Sequence, residues 1–252
     1  MDVLYDCLKT PAKYGYEKEY FWISGISLVL VGIVGLVGNV ISLLMLCRKN
    51  FHRNVFYNLL IMLTLFDITF IISLGISAGY ESMACRDNYI HAIGSITYPV
   101  SNIGLSGSIY TTVAVSIERY LRLRHPRLKY SGTSWVYITS VVVITVLYNL
   151  PRFFEFKYSV VNGTLISEQF PWTATAPYDD VYHVYAEVLV ESFIPTILLL
   201  IFNGAIIKMV YFSKTRNTNV EKSRNRATNT KILLAIVGVF FVTHLPSIAF
   251  TL

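Results

Sequence analysis

Residues 57–79 read YNLLIMLTLFDITFIISLGISAG, twenty-three residues with one charge, Asp67, near the middle. A helix needs about 20 mostly apolar residues to cross the hydrocarbon core of a bilayer, and soluble core helices are seldom so long or so uniformly apolar. An acidic side chain at mid-membrane depth is costly, which makes it a functional candidate by default. The stretch therefore reads as a membrane span with a working carboxylate inside it.

The pattern recurs on both sides. Phe21–Cys47, Trp135–Phe154, Val184–Phe212 and Lys231–Leu252 are further apolar runs of spanning length. A sixth span, about Tyr89–Tyr120, holds Pro99, Asn102 and many Ser, Thr and Gly residues. Small and hydroxyl residues suit a helix packed on most sides by other helices, so it reads as the central helix of a bundle. Over the whole chain 54% of residues are hydrophobic and 14% are charged, against about 25% charged in ordinary soluble domains. The fold class is an all-α membrane protein with one domain. A polar tail, residues 1–20, precedes the helical domain at 21–252. The tail carries seven charged side chains and no apolar stretch, so it is not a cleaved signal peptide and the first span must serve as its own insertion signal.

The net charge of +6 does not point to nucleic acid, because its distribution follows the membrane. Arg48, Lys49 and Arg53 flank the first connection, and Arg119, Arg122, Arg124, Arg127 and Lys129 the third. Lys208, Lys214, Arg216, Lys222, Arg224, Arg226 and Lys231 flank the fifth. These are fifteen of the 21 basic residues. The positive-inside rule puts those connections in the cytoplasm and the N-terminus outside. The only glycosylation sequon, Asn162-Gly163-Thr164, then falls on the outer side. The long outer connection, about 155–183, reads as irregular or a short hairpin. The long inner one, 213–230, is polar and basic.

Several polar residues stand at distinctive depths: Gly38-Asn39 in the first span, Asp67 in the second, Glu118-Arg119-Tyr120 closing the third. Pro126 follows seven residues after Arg119, and prolines interrupt the fifth and sixth spans at Pro195 and Pro246. Each marker lies in its proper helix, and together they make the chain resemble the rhodopsin-like family of G-protein-coupled receptors, with six of its seven helices present. Gly107-Ser108-Ile109-Tyr110-Thr111-Thr112-Val113-Ala114, Tyr148-Asn149-Leu150-Pro151-Arg152-Phe153-Phe154-Glu155 and Asn203 are most similar to invertebrate FMRFamide-receptor-like neuropeptide receptors.

The resemblance implies an extracellular peptide ligand, a heterotrimeric G protein as partner, a plasma-membrane location, and no cofactor beyond a sodium ion. It implies that Glu118 holds Arg119 at rest, and that Arg119, with Tyr120 and Pro126, forms the G-protein switch. Asn39, Asp67 and Ser108 match a polar cluster that holds sodium in many members. Ile109, Pro195, Phe240 and His244 match the connector that repacks when helix six swings outward. Tyr98, Ser101, Asn102 and Leu105 map to the ligand cavity, as do Tyr185, Ser247 and Thr251. Glu187 and Glu191 lie eight and four residues before Pro195, on one face of an α-helix. The subfamily's peptides typically end in Arg-Phe-amide, and a carboxylate pairs naturally with that guanidinium. Two alternatives stay open: Glu187 reaches the interface and only Glu191 faces inward, or Arg152 neutralises one of them.

The chain also departs from the family pattern. Gly94 replaces the usual cysteine at the outer end of helix three, and residues 155–183 contain no cysteine. Cys7 and Cys85, both assigned to the oxidising side, are expected to pair, and Cys47 to stay reduced or be acylated. His244 stands at the aromatic-switch position, Arg226 replaces the acidic partner of Arg119 at the foot of helix six, and Arg127 precedes Leu128 where an apolar residue usually docks. Helix seven with its Asn-Pro-x-x-Tyr signature is absent from residues 1–252, so residues 1–252 alone are not expected to signal.

Rival classes fare worse. Gly104-Leu105-Ser106-Gly107 and His244 resemble the serine and histidine of rhomboid intramembrane proteases, but the serine is in span three and the histidine lacks a glycine-rich setting. A facing aspartate pair and a His-Glu-x-x-His motif are both missing. A transporter or channel would commonly show internal repeats, and none is visible. An enzyme is not expected.

Overall fold

The computed structural model describes residues 27–47, 55–82, 88–125, 133–161, 164–173 and 178–214. The expected sixth span lies outside them. So do the tail, Cys7, Cys85, Pro126, Asn162, Phe240, His244, Ser247 and Thr251.

Five spans are described. Helix α1 runs Ser27–Leu46, α2 Val55–Ser82, α3 Asn88–Arg124 and α4 Thr133–Asn149. The fifth opens as a π-helix, Asp179–Phe193, and continues as α5, Ile194–Lys214. Among the described residues four stretches are long and apolar enough to cross a membrane: Val29–Leu46, Val55–Ser77, Ser134–Phe154 and Tyr185–Met209. At 1.5 Å per residue the 20 residues of α1 extend about 30 Å, the thickness of a hydrocarbon core. Its apolar side chains, Val29 to Met45, are largely uncovered by protein. So broad an apolar surface suits a helix set in lipid.

Helix α3 is not among the four, for the reason its composition gives. Residues 111–116 form an unbroken buried run, and Ser106, Thr111 and Ser116 have no exposed surface. Hydroxyls can be buried there because each donates to the carbonyl four residues back: Ser106 to Asn102, Thr111 to Gly107, Ser116 to Thr112. Pro99 lies inside the helix without ending it. A membrane helix tolerates the lost N–H, and in the turn that follows, Ser101 Oγ and Asn102 Nδ2 both donate to the Tyr98 carbonyl at 2.9 Å.

Two compact units divide the chain, and each is described by itself. Among the described residues one comprises 27–47, 64–82, 88–106, 144–161 and 164–173, and the other 55–63, 107–125, 133–143 and 178–214. In the first, Ser77 and Thr97 share a hydrogen bond of 2.8 Å between α2 and α3, and Asn149 Nδ2 donates to Ser106 Oγ at 2.7 Å between α4 and α3. A Cβ added at Gly104 would lie 2.6 Å from the Phe70 backbone nitrogen and 2.8 Å from its Cα. Only glycine lets α2 and α3 approach so closely. In the second, Asn203 Nδ2 reaches Ser116 Oγ at 3.4 Å from α5, and Asn58 Nδ2 reaches Ser134 Oγ at 3.3 Å between α2 and α4. Small residues and interhelical amide–hydroxyl bonds are the usual means of helix association where hydrophobicity gives no drive.

The α-helical part of span four stops at Asn149, and a 3-10 turn, Leu150–Phe154, follows. Pro151 accounts for the change, since it cannot donate in the α register. The connection that follows is a hairpin: β1, Phe156–Val161, pairs antiparallel with β2, Thr164–Gln169, with Phe156 opposite Gln169 and Val161 opposite Thr164. The Phe170 N–H closes its base on the Glu155 carbonyl at 3.0 Å.

The π segment departs from the α-helix expected there. The Ile194 N–H donates to the Leu189 carbonyl, five residues back. Pro195 comes next, and a proline ring clashes with the carbonyl four residues before it in an α-helix. A wider turn moves that carbonyl aside. Such turns are rare and frequent at functional positions.

Candidate functional site

The C-terminal end of α3 carries Glu118-Arg119-Tyr120. Glu118 is only 4% exposed. Its Oε1 accepts a hydrogen bond from Arg122 Nε at 2.6 Å, one helical turn on. Its Oε2 lies 4.0 Å from Arg119 Nε, and both of those buried atoms lack a hydrogen-bond partner. Arg119 instead lays its guanidinium over the ring of Phe56, from the first turn of α2, at 3.2 Å to the centroid. Arg124 donates to the Tyr120 hydroxyl, and the Tyr120 ring packs on Phe202 of α5 at 5.4 Å between centroids. The short ionic contact of Glu118 is thus with Arg122, and Arg119 is held by an aromatic face. The Glu118–Arg122 spacing is an i,i+4 signal visible in sequence; nothing in a single sequence pairs Phe56 with Arg119.

The expected sodium cluster is placed on three helices. Asn39 in α1 donates its amide to the Gly35 carbonyl at 3.0 Å. Asp67 in α2 and Ser108 in α3 are half-buried. Asn39 and Asp67 fall in one compact unit and Ser108 in the other. The carboxylate and amide oxygens of Asp67 and Asn39 are of the kind that suits a hard cation, and not a thiolate- or imidazole-seeking one. Among the described residues no group of three His, Cys, Asp or Glu could hold a metal ion. Of the connector, Ile109 and Pro195 are buried.

The expected ligand residues fall in two groups, one in each unit. Tyr98, Ser101, Asn102 and Leu105 lie on successive turns of α3, the first three joined through the Tyr98 carbonyl. The second group lies on the π segment. Glu191 is 3% exposed, Glu187 is half-buried, and Tyr185 is 63% exposed, its ring not enclosed by protein. The two carboxylates stay about one turn apart, and Glu191 is the more enclosed. Arg152, which one of the open alternatives paired with a glutamate, places Nη1 3.1 Å from the Tyr98 hydroxyl, with its guanidinium carbon 5.5 Å from that ring. The pairing of Arg152 with Tyr98 was not foreseeable from spacing, because 54 residues separate them.

Ser106 and Gly104, the protease-like pair, are both accounted for by packing. The serine hydroxyl donates within α3 and accepts from Asn149, and the glycine accommodates Phe70.

Residues 38–252 match the family described as 7 transmembrane receptor (rhodopsin family). The chain belongs to that family. Rhodopsin-family receptors are not enzymes, which removes the protease reading. Among similar proteins are the FMRFamide receptor of Drosophila melanogaster, 27% identical over 244 residues (89% of this chain, 44% of that protein), and FMRFamide peptide receptor frpr-18 of Caenorhabditis elegans, 23% identical over 233 residues (86% and 54%). Tachykinin-like peptides receptor 86C of Drosophila melanogaster is 23% identical over 273 residues (97% and 52%). The chain spans about half the length of these relatives. By their names these three relatives are receptors for FMRFamide or tachykinin-like peptides.

Proposed function

We propose that this chain is part of a plasma-membrane receptor, N-terminus outside, for a secreted neuropeptide ending in Arg-Phe-amide. The bound peptide is read by a heterotrimeric G protein on the cytoplasmic side, through Arg119 and outward movement of helix six. The observation that carries the ligand assignment is the burial of Glu191 at 3% exposure on a π-helical stretch. A carboxylate enclosed within a membrane span must be matched by a positive group, by a proton or by polar partners, and the guanidinium of such a peptide supplies a bidentate match. The names of the FMRFamide receptors among the relatives support the same ligand class. A ligand changes the receptor only by the difference in its affinity for the resting and active arrangements. The peptide's contacts must therefore be better formed when helix six is out. Asp67 and Asn39, within one compact unit, would contribute oxygen donors to a sodium ion, which would supply a fixed positive charge beside the Asp67 carboxylate.

The test is expression of the full-length receptor in cells carrying G-protein reporters, challenged with Phe-Met-Arg-Phe-amide, its free-acid form and a tachykinin-like peptide. A response confined to the amidated Arg-Phe peptide is expected. A response to the tachykinin-like peptide alone would move the ligand class. Silence to all three with substrate flux across the membrane would remove the receptor reading.

A further inference from the structure

Arg152 is among the most completely enclosed side chains in the described residues, with 1% of its surface exposed. Burying a guanidinium costs several kcal/mol unless its donors and charge are engaged, so its surroundings must repay it. Arg152 occupies the 3-10 turn at which α4 gives way to the hairpin. Its Nη1 donates to the Tyr98 hydroxyl at 3.1 Å, and the guanidinium also lies 5.5 Å from the centre of the Tyr98 ring. A planar guanidinium, with several donors in a fixed fork, can serve both contacts at once. Three residues on, Glu155 is 5% exposed, and its carbonyl closes the base of the hairpin through the Phe170 N–H. On the other side of the contact, Tyr98 is fixed by its own backbone, whose carbonyl accepts from both Ser101 and Asn102. A continuous line of bonds therefore runs from α3 through Tyr98, Arg152 and the turn to the Glu155–Phe170 closure at the base of the hairpin. All of it lies within one compact unit.

We propose that Arg152 is a positioning residue: it orients Tyr98 and ties the base of the 156–169 hairpin to α3, so that this wall of the peptide site is formed before the peptide arrives. The inference rests on the assignment of Tyr98, Ser101 and Asn102 to that site. Arg152 itself does not touch the ligand; it acts through Tyr98 and through the turn.

The experiment uses the full-length receptor in nanodiscs and four variants: Arg152→Gln, Arg152→Lys, Tyr98→Phe, and Arg152→Gln with Tyr98→Phe. Tyr98→Phe removes one oxygen and leaves the ring, so a variant that folds is assured of being available. Two quantities are read: hydrogen exchange of the backbone amides of 156–169, and the affinity of Phe-Met-Arg-Phe-amide. Losing a hydrogen bond to a charged group corresponds to roughly a tenfold change or more. Hairpin exchange should accelerate by about that factor in Arg152→Gln, and by less in Arg152→Lys and Tyr98→Phe. Peptide affinity should fall by a similar factor in Arg152→Gln, and the double variant should bind no more weakly than Arg152→Gln, since both changes remove one contact. Unchanged hairpin exchange in Arg152→Gln overturns the proposal, as do additive affinity losses in the double variant or unaltered affinity with a loosened hairpin. If the unmodified receptor does not bind the peptide at all, the ligand assignment fails on its own, and hairpin exchange still decides whether Arg152 is the tie.

Discussion

The guanidinium of Arg119 lies 3.2 Å from the ring centroid of Phe56, closer than any hydrogen-bonding approach it makes to the neighbouring carboxylate of Glu118. Glu118 gives its short contact to Arg122 instead. Among the described residues, the aromatic face of Phe56 is thus a restraint on the Arg119 guanidinium. A cation over an aromatic ring in a desolvated setting is worth about 1–2 kcal/mol.

Phe56→Leu should therefore raise ligand-independent signalling of the full-length receptor. The change in the balance of resting and active arrangements should be roughly 5- to 30-fold. Phe56→Tyr, which keeps the ring, should stay near the starting level. Agonist-free nucleotide exchange on membranes measures this, and a basal rate in Phe56→Leu equal to the unmodified receptor's would show that Phe56 does not restrain the arginine.

Helix contacts make a second, ligand-free prediction. A methyl at position 104 would overlap the Phe70 backbone, whereas a methyl at position 38 meets nothing within 4 Å. Overpacking against backbone costs about 1–3 kcal/mol, while glycine to alanine in an unobstructed helix gains up to about 1 kcal/mol. Gly104→Ala should melt at lower temperature than the unmodified protein and Gly38→Ala at the same temperature or higher. A thermal-shift measurement in micelles decides it; equal melting of the two variants would contradict the close approach of α2 and α3.

What could be read from the chain alone follows from the range of each interaction. Asp67, Glu118 and Arg119 declare themselves by depth and spacing within a single span. The polar composition around Pro99 already marks the third helix as one enclosed by others. Gly104 is different: the sequence offers a glycine, but only the position of Phe70 on another helix explains it. Pro195 signals a disturbed helix without saying whether the chain will kink or widen, and the structure shows a widening before it. The Arg152–Tyr98 and Arg119–Phe56 contacts join distant segments, and local periodicity is blind to them.

The charge distribution predicts orientation. Asn219→Cys, in the basic connection after α5, should resist impermeant thiol labelling on intact cells and react after permeabilisation. Asn162 should carry glycan removable by a glycosidase. Strong labelling at position 219 from outside would reverse the topology.

A sodium ion held by Asp67 should stabilise the receptor by mass action, since it binds the folded protein and not the unfolded chain. At constant ionic strength, replacing KCl by NaCl should raise the melting temperature of the unmodified receptor and leave Asp67→Asn unchanged. A salt-specific rise that persists in Asp67→Asn would place the ion elsewhere or remove it from the account.

The ligand assignment stands or falls on Glu191. Its 3% exposure means that a peptide guanidinium meeting it would form a largely desolvated pair, and losing one partner of such a pair costs about 2–5 kcal/mol, or roughly 30-fold to a few thousandfold in affinity. Glu191→Gln keeps the shape and removes the charge. It should weaken binding of an Arg-Phe-amide peptide by at least the lower figure. An analogue with citrulline in place of arginine already lacks the positive charge, so the same substitution should cost it little. Glu187, half-buried and thus more solvated, should show a smaller difference between the two peptides. Competition binding with both peptides on both variants gives the four numbers required. Equal losses for the arginine and citrulline peptides at Glu191→Gln would mean that the carboxylate supports the fold and not the ligand, and no loss for either would take Glu191 out of the recognition site altogether.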